Sequence, residues 1–246
     1  MRSKTLRKTI GLIGGMSWES TAVYYKEINE LVRKRFGGLV SADILMHSVD
    51  FSEIVAWQKA GQWDKASAYL GEVGRNLQSG GADCVLICTN TMHMIANEVS
   101  AHFDIPLIHI VDVTGRALNA AGMKRPLLLA TRYTMEEGFY RDRLETAHGI
   151  SAIVPDAADR QAVHDIIFDE LCCGIVQDAS REVYRGAIEK AKAAGCDSVI
   201  LGCTEIGLLI GPADTDLPVF DSTKLHAAAA VDFACAEDQD RLREPA

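Results

Sequence analysis

The sequence predicts an α/β protein built as two pseudo-symmetric lobes, each a parallel sheet flanked by helices, with the active site in the cleft between them. Three observations lead there. Short apolar runs alternate with helix-length amphipathic stretches along the whole chain, the pattern of parallel strands joined by crossover helices. The pattern restarts after Gly122. Two segments also align without a gap at a spacing of 114 residues: "GADCVLICTNT" (81–91) over "GCDSVILGCTE" (195–205), with Gly81 over Gly195, Asp83 over Asp197 and Val85 over Val199.

In chain order, "TIGLIGG" is the first strand, and "SWESTAVYYKEINELVRKRFGG" a helix with Tyr24, Ile28 and Leu31 on one face and Gly37 at its end. "ADILMHSV" is the second strand. Helical sequence from Phe51 to Gly80 leads into the strand "CVLIC", a helix near 92–102, the strand "PLIHI" and a helix closing at Gly122. The second half opens with the strand "PLLLAT" and the helix "TMEEGFYRDRLETA", whose start reads as a capping box from Thr134 to Glu137. "SAIVP" is a strand, two helices separated near Gly174 lead into "SVILG", and a short helix, "LPVFD" and a terminal helix from Ser222 follow. The expected lobes are 1–120 and 121–246, the C-terminal helix from about 222 being able to pack back on the first.

With 246 residues, 48% of them hydrophobic and 24% charged, the chain can bury a sizeable core. A net charge of −9 argues against nucleic acid or an anionic membrane as partner. The basic leader Arg2, Lys4, Arg7, Lys8 precedes an apolar stretch too short for a membrane span and without a clear cleavage site. The chain therefore reads as soluble and cytoplasmic. Seven cysteines, an odd number often embedded in apolar runs, imply a reducing compartment and no disulfide framework. With neither a C-x-x-C pair nor H-E-x-x-H, no metal site is expected. "GLIGG" (11–15) is not a full dinucleotide fingerprint, and no lysine stands in a recognisable pyridoxal motif, so no cofactor is expected.

Two reactive groups end the run "CVLICT": Cys88 and Thr89. In the repeat register Cys203 lies over Thr89, and Cys88 lies over Gly202. Successive strand residues point to opposite faces, so Thr89, not Cys88, shares the orientation of Cys203. Both stand at carboxyl ends of strands, where open parallel sheets bind ligands. Two proton-active groups on opposite sides of one small substrate are what inversion at a carbon centre requires, so the pair points to a racemase or epimerase. Ser17, Asn90, Thr91, Thr131, Thr134 and Thr204 also stand at or just beyond strand ends. They suit a carboxylate and serve equally as helix caps. His93, after "TNTM" at the head of a helix, reads as a structural histidine or as one that orients the loop, and Glu205 as a cap or a group that tunes the Cys203 thiol. Trp57, Trp63 and Tyr69 read as packing or a subunit contact.

"GGMSWEST", "CTNTMH", "LLATRYTM" and "LGCTEIGLL" resemble, in order and spacing along nearly the whole chain, the cofactor-independent aspartate/glutamate racemase family. That resemblance implies two α/β lobes, a homodimer and two catalytic cysteines, the first before Asn-Thr and the second in Gly-Cys-Thr. Cys203 fills the second position. Thr89 fills the first, which makes the chain similar to the subgroup specific for L-aspartate and L-glutamate. By the same resemblance Met16, Asn90, Thr91, Thr134 and Thr204 would hold an α-amino acid and Gln58 would meet its side chain. "DFSEIVAWQ" lacks the arginine of aspartate-specific relatives, which speaks against strict aspartate specificity. A thiolate can remove the Cα proton near neutral pH, whereas a threonine hydroxyl can donate one but removes one very poorly. The resemblance implies that Cys203 faces the Cα proton of the L-enantiomer, so conversion from L to D is expected to be favoured kinetically. Two other readings of the same residues are a decarboxylase or isomerase of malonate-like or maleate-like acids using Cys203, and a non-catalytic amino-acid-binding protein.

Overall fold

A computed structural model describes residues 8–236; Arg2, Lys4 and Arg7 lie outside them. The elements run β1 (Ile10–Gly14), α1 (Trp18–Phe36), β2 (Ile44–Ser48), α2 (Phe51–Lys59), α3 (Trp63–Ser79) and β3 (Cys84–Ile87). A 3-10 turn (Thr91–Ile95), α4 (Ala96–Ser100), α5 (Ile110–Ala120), β4 (Pro126–Leu129), α6 (Arg132–Glu136), α7 (Phe139–His148) and α8 (Ala157–Asp165) follow. The chain then passes a π turn (Ile166–Glu170) and a 3-10 turn (Leu171–Cys173) into α9 (Asp178–Ala193), β5 (Ser198–Leu201), α10 (Ile206–Leu209), β6 (Val219–Asp221) and α11 (Ser222–Ala234). Among the described residues no helix is long and apolar enough to cross a membrane.

The strands form two parallel three-stranded sheets, ordered β2-β1-β3 and β4-β5-β6. The internal repeat is structural. Ile10 pairs with Cys84 as Pro126 pairs with Ser198. The Cys88 N–H donates to the Ile13 carbonyl as that of Gly202 donates to Leu129. The carboxylate of Asp83 accepts the Thr9 N–H at 2.6 Å, and that of Asp197 accepts the Lys124 N–H at 2.6 Å, each fastening the start of its neighbouring strand. Gly81 and Gly195 take φ of 100° and 88° between helix and strand, a conformation side chains other than glycine rarely adopt.

The expected strands "PLIHI" and "SAIVP" each reduce to a single bridge, Val85 with Leu107 and Leu127 with Ile153. Each lies at a sheet edge and makes one pair of ladder hydrogen bonds, Val85 N–H to Pro106 O with Ile108 N–H to Val85 O, and Leu128 N–H to Ile153 O with Ile153 N–H to Pro126 O. Each adds a fourth position, at the edge where the other sheet has a full strand: Leu107 stands beside Val85 as β6 stands beside β5, and Ile153 beside Leu127 as β2 stands beside β1.

Packing divides the described chain into two compact units, 8–88 with 95–109 and 226–236, and 89–94 with 110–225. In the first unit α1 buries Tyr24, Ile28 and Val32, one stripe at helical spacing, against Ile10, Leu12 and Leu86 of the sheet. Ala227, Ala230, Val231 and Ala234 of α11 complete that core. Tyr24 Oη and His226 Nδ1 lie 2.8 Å apart, and His226 Nε2 reaches the Ile108 carbonyl at 2.6 Å, so the buried ring is satisfied on both sides. In the second unit Ile110, Val111 and Leu118 of α5 pack with Leu127–Leu129 and Val199–Leu201. Thus α5, placed by the sequence in the first lobe, packs with the second sheet, and the chain crosses between units more often than one cut at 120 would require.

The helix after β4 does not start at Thr134. Thr131 is the N-cap residue of α6, Thr134 lies inside it, and Gly138 (φ 78°) breaks the helix before α7. The Thr134 hydroxyl is engaged elsewhere.

Candidate active site

The loops that follow β3 and β5 carry Thr89 and Cys203, and both residues belong to the second unit. Cys88 and Thr89 are the two residues that follow β3. Cys88 is 0% exposed in the core of the first unit, and burial pushes its thiol far above the ordinary range. Gly202 takes the equivalent place in the other sheet, where a Cβ would stand 2.9 Å from Leu128 Cδ1. Thr89 and Cys203 are half-buried.

Asn90 and Ser222 join the loop after β3 to the end of β5. Ser222 Oγ donates to the Leu201 carbonyl at 2.8 Å and must therefore accept from Asn90 Nδ2 at 3.1 Å. This fixes the amide orientation. Asn90 Oδ1 is then left as a buried acceptor that meets no donor among the described residues. The hydroxyls of Thr91, Thr131 and Thr134 form a triangle, with Thr91 3.2 Å from Thr131 and 3.3 Å from Thr134, and Thr131 3.2 Å from Thr134. Of the residues expected at the site, the second unit holds Thr89, Asn90, Thr91, Thr134, Cys203 and Thr204. Met16, buried after β1, and Gln58, half-buried in α2, belong to the first unit.

Cys203 Sγ donates to Glu205 Oε2 at 2.9 Å, and Glu205 is buried. Burial, then the adjacent Glu205 carboxylate, hold the thiol well above its ordinary value. The resting group is a neutral thiol already directed at an acceptor. A positive charge arriving beside it would favour the thiolate. It follows that Glu205→Gln, by removing the charge, should move the midpoint for iodoacetamide labelling of the Cys203 peptide to lower pH. A midpoint that stays or rises would refute this pairing.

Ser222 was not anticipated from the sequence. It stands after "LPVFD" as Thr89 and Cys203 stand after their strands, and the strand-end rule applied to that run finds it.

The family model for Asp/Glu/hydantoin racemases matches residues 13–230. The chain belongs to this family. As a member of the Asp/Glu/hydantoin racemases it is an isomerase, with the racemase fold of two parallel sheets flanked by helices. A solved structure described as a candidate Asp/Glu racemase from Yersinia pestis is 49% identical with a TM-score of 0.88, over 93% of this chain and 99% of that one. An aspartate racemase homologue from Pyrococcus horikoshii is 30% identical with a TM-score of 0.83, over the same shares. The broad-specificity amino-acid racemase RacX of Bacillus subtilis is 20% identical over 90% of this chain and 96% of its own length.

Proposed function

We propose that this racemase acts on amino acids without a cofactor, converting L-glutamate and L-aspartate, and other L-amino acids of similar size, to their D-enantiomers in the cytoplasm. The observation that carries the reading is Asn90 Oδ1, a buried acceptor on the loop of Thr89 that awaits a donor. A substrate α-ammonium supplies that donor and removes the penalty of leaving the oxygen unpaired. It also brings the positive charge that favours the Cys203 thiolate. The Thr91 and Thr134 hydroxyls, with Thr204, receive the α-carboxylate and stabilise the enediolate-like charge that develops there. Cys203 takes the Cα proton on its sulfur, leaving the electron pair on the Cα–carboxylate system. Thr89 gives its hydroxyl proton to the opposite face of Cα and is refilled from water. The equilibrium constant for enantiomers is unity, so kcat/KM is equal in the two directions and the one-sided base makes L to D the faster direction only at saturating substrate.

Proton NMR of L-glutamate and L-aspartate in D₂O, with protein dialysed exhaustively against a chelator and given no pyridoxal phosphate, should show loss of the Cα–H signal and appearance of the D-enantiomer. In light scattering the same sample should behave as a homodimer, for which the exposed Trp18, Tyr25 and Met46 offer an apolar face. Exchange that returns only with added metal or pyridoxal phosphate, or that is confined to hydantoins, would overturn the reading.

A further inference from the structure

Thr89 is held in place through its backbone. His93 Nδ1 lies 2.8 Å from the Thr89 carbonyl oxygen, and the Ile110 N–H donates to His93 Nε2 at 3.2 Å. A backbone N–H can only donate, so Nε2 is the acceptor. In a neutral imidazole the proton then sits on Nδ1 and is donated to the Thr89 carbonyl. The ring is 3% exposed, and the His93 N–H closes the intervening turn onto the Asn90 carbonyl at 3.0 Å. Ile110 is the first residue of α5, an 11-residue helix that buries Val111, Val113, Thr114 and Leu118. The imidazole is thus a rigid strut from a fixed helix end to the residue that precedes Asn90.

We propose that His93 is a positioning residue that aims the Thr89 hydroxyl at one face of Cα. The inference rests on the racemase reading above. It makes no claim on the other face, because the thiol of Cys203 is held by Glu205. The two proton transfers are therefore separable: loosening the strut leaves removal of the Cα proton by Cys203 intact and impairs delivery of a proton by Thr89.

Two near-isosteric replacements divide the roles of the ring. His93→Asn retains an amide N–H near the place of Nδ1 and loses the acceptor for Ile110. His93→Gln places its amide near Nε2, where the oxygen can accept from Ile110, and puts no donor at the place of Nδ1. With L-glutamate in D₂O, chiral chromatography coupled to mass spectrometry measures deuterium in the recovered L-substrate and in the D-product. His93→Gln should lower D-product formation relative to deuterium in recovered L-substrate by about tenfold, with KM within about twofold, a difference near 1.4 kcal/mol in one proton transfer. His93→Asn should slow overall turnover yet keep the wild-type ratio. An unchanged ratio in His93→Gln, or the same change in both variants, would make His93 a packing residue and overturn the proposal. In the unsubstituted protein, ¹⁵N NMR should show the His93 proton on Nδ1; the other tautomer overturns the proposal without any variant. Absence of all exchange in the unsubstituted protein would instead remove the racemase reading, and this inference with it.

Discussion

Replacing Cys203 by serine should lower turnover of L-glutamate and L-aspartate by at least about a thousandfold while the protein stays folded. A serine hydroxyl keeps the shape and can still donate to Glu205 at the place where Sγ does so at 2.9 Å. Its proton is held so firmly that almost no alkoxide exists near neutral pH, and a thousandfold corresponds to only about 4 kcal/mol of barrier. The control lies one residue before the other candidate. Cys88→Ser should keep turnover within about twofold, since Cys88 lies 0% exposed in the core of the first unit. Its cost should appear as lost stability, because a hydroxyl buried among apolar groups costs about 1–3 kcal/mol. Steady-state rates with thermal melts of both variants check the pair. Equal loss of activity in folded Cys88→Ser would reverse the strand register on which the site is built.

Replacing Thr89 by cysteine should open the reverse direction. The side chain is half-buried and close in size to a thiol. Its carbonyl, not its hydroxyl, receives the His93 bond, so the backbone support survives the change. The new thiol would occupy the position that the second half of the repeat fills with Cys203. A second group able to form a thiolate would then face the Cα proton of the D-enantiomer, which threonine removes very poorly. At saturating substrate, exchange and turnover from D-glutamate or D-aspartate should rise at least ~tenfold, with a smaller effect from the L side. Combining Thr89→Cys with Cys203→Ser should leave exchange on the D-substrate alone. No gain with D-substrates in a folded, substrate-binding variant would end the two-sided mechanism.

The parts of the fold legible in the sequence are those that a local pattern specifies. Cys84–Ile87 and Ser198–Leu201 lie within "CVLIC" and "SVILG" because strands buried on both faces read as unbroken apolar runs. Gly81, Gly195, Asp83 and Asp197 mark their starts because a positive φ and a backbone-binding carboxylate are local needs. "PLIHI" and "SAIVP" misled, since the same composition serves a full strand and a single edge bridge. The Thr134 capping box failed because Thr131, at the strand end, starts that helix first.

At the site, strand parity and the repeat single out Thr89 and Cys203, and Glu205 is visible as a near neighbour of the thiol. The contact of Asn90 with Ser222 spans 132 residues, and that of His93 with Ile110 depends on where α5 docks. Neither leaves a periodic trace. The unpaired Asn90 oxygen, on which the proposed ammonium contact depends, becomes visible only when the direction of the Ser222 hydroxyl is known.

The return of α11 to the first sheet has a consequence for synthesis. Tyr24 and His226 meet across 202 residues of chain, so a ribosome that has released the first sheet has not yet released the side chains that finish its core. Ala227, Ala230 and Val231 emerge after every strand of the second sheet. The second sheet has all its strands before these residues are made, but the first keeps an apolar face open until residues 227–234 emerge. Loop closure over such a length adds little entropy beyond that of a loop half as long, so the burden falls on timing and not on final stability. The exposed interval is when aggregation competes, and it ends with the arrival of one alanine-rich helix.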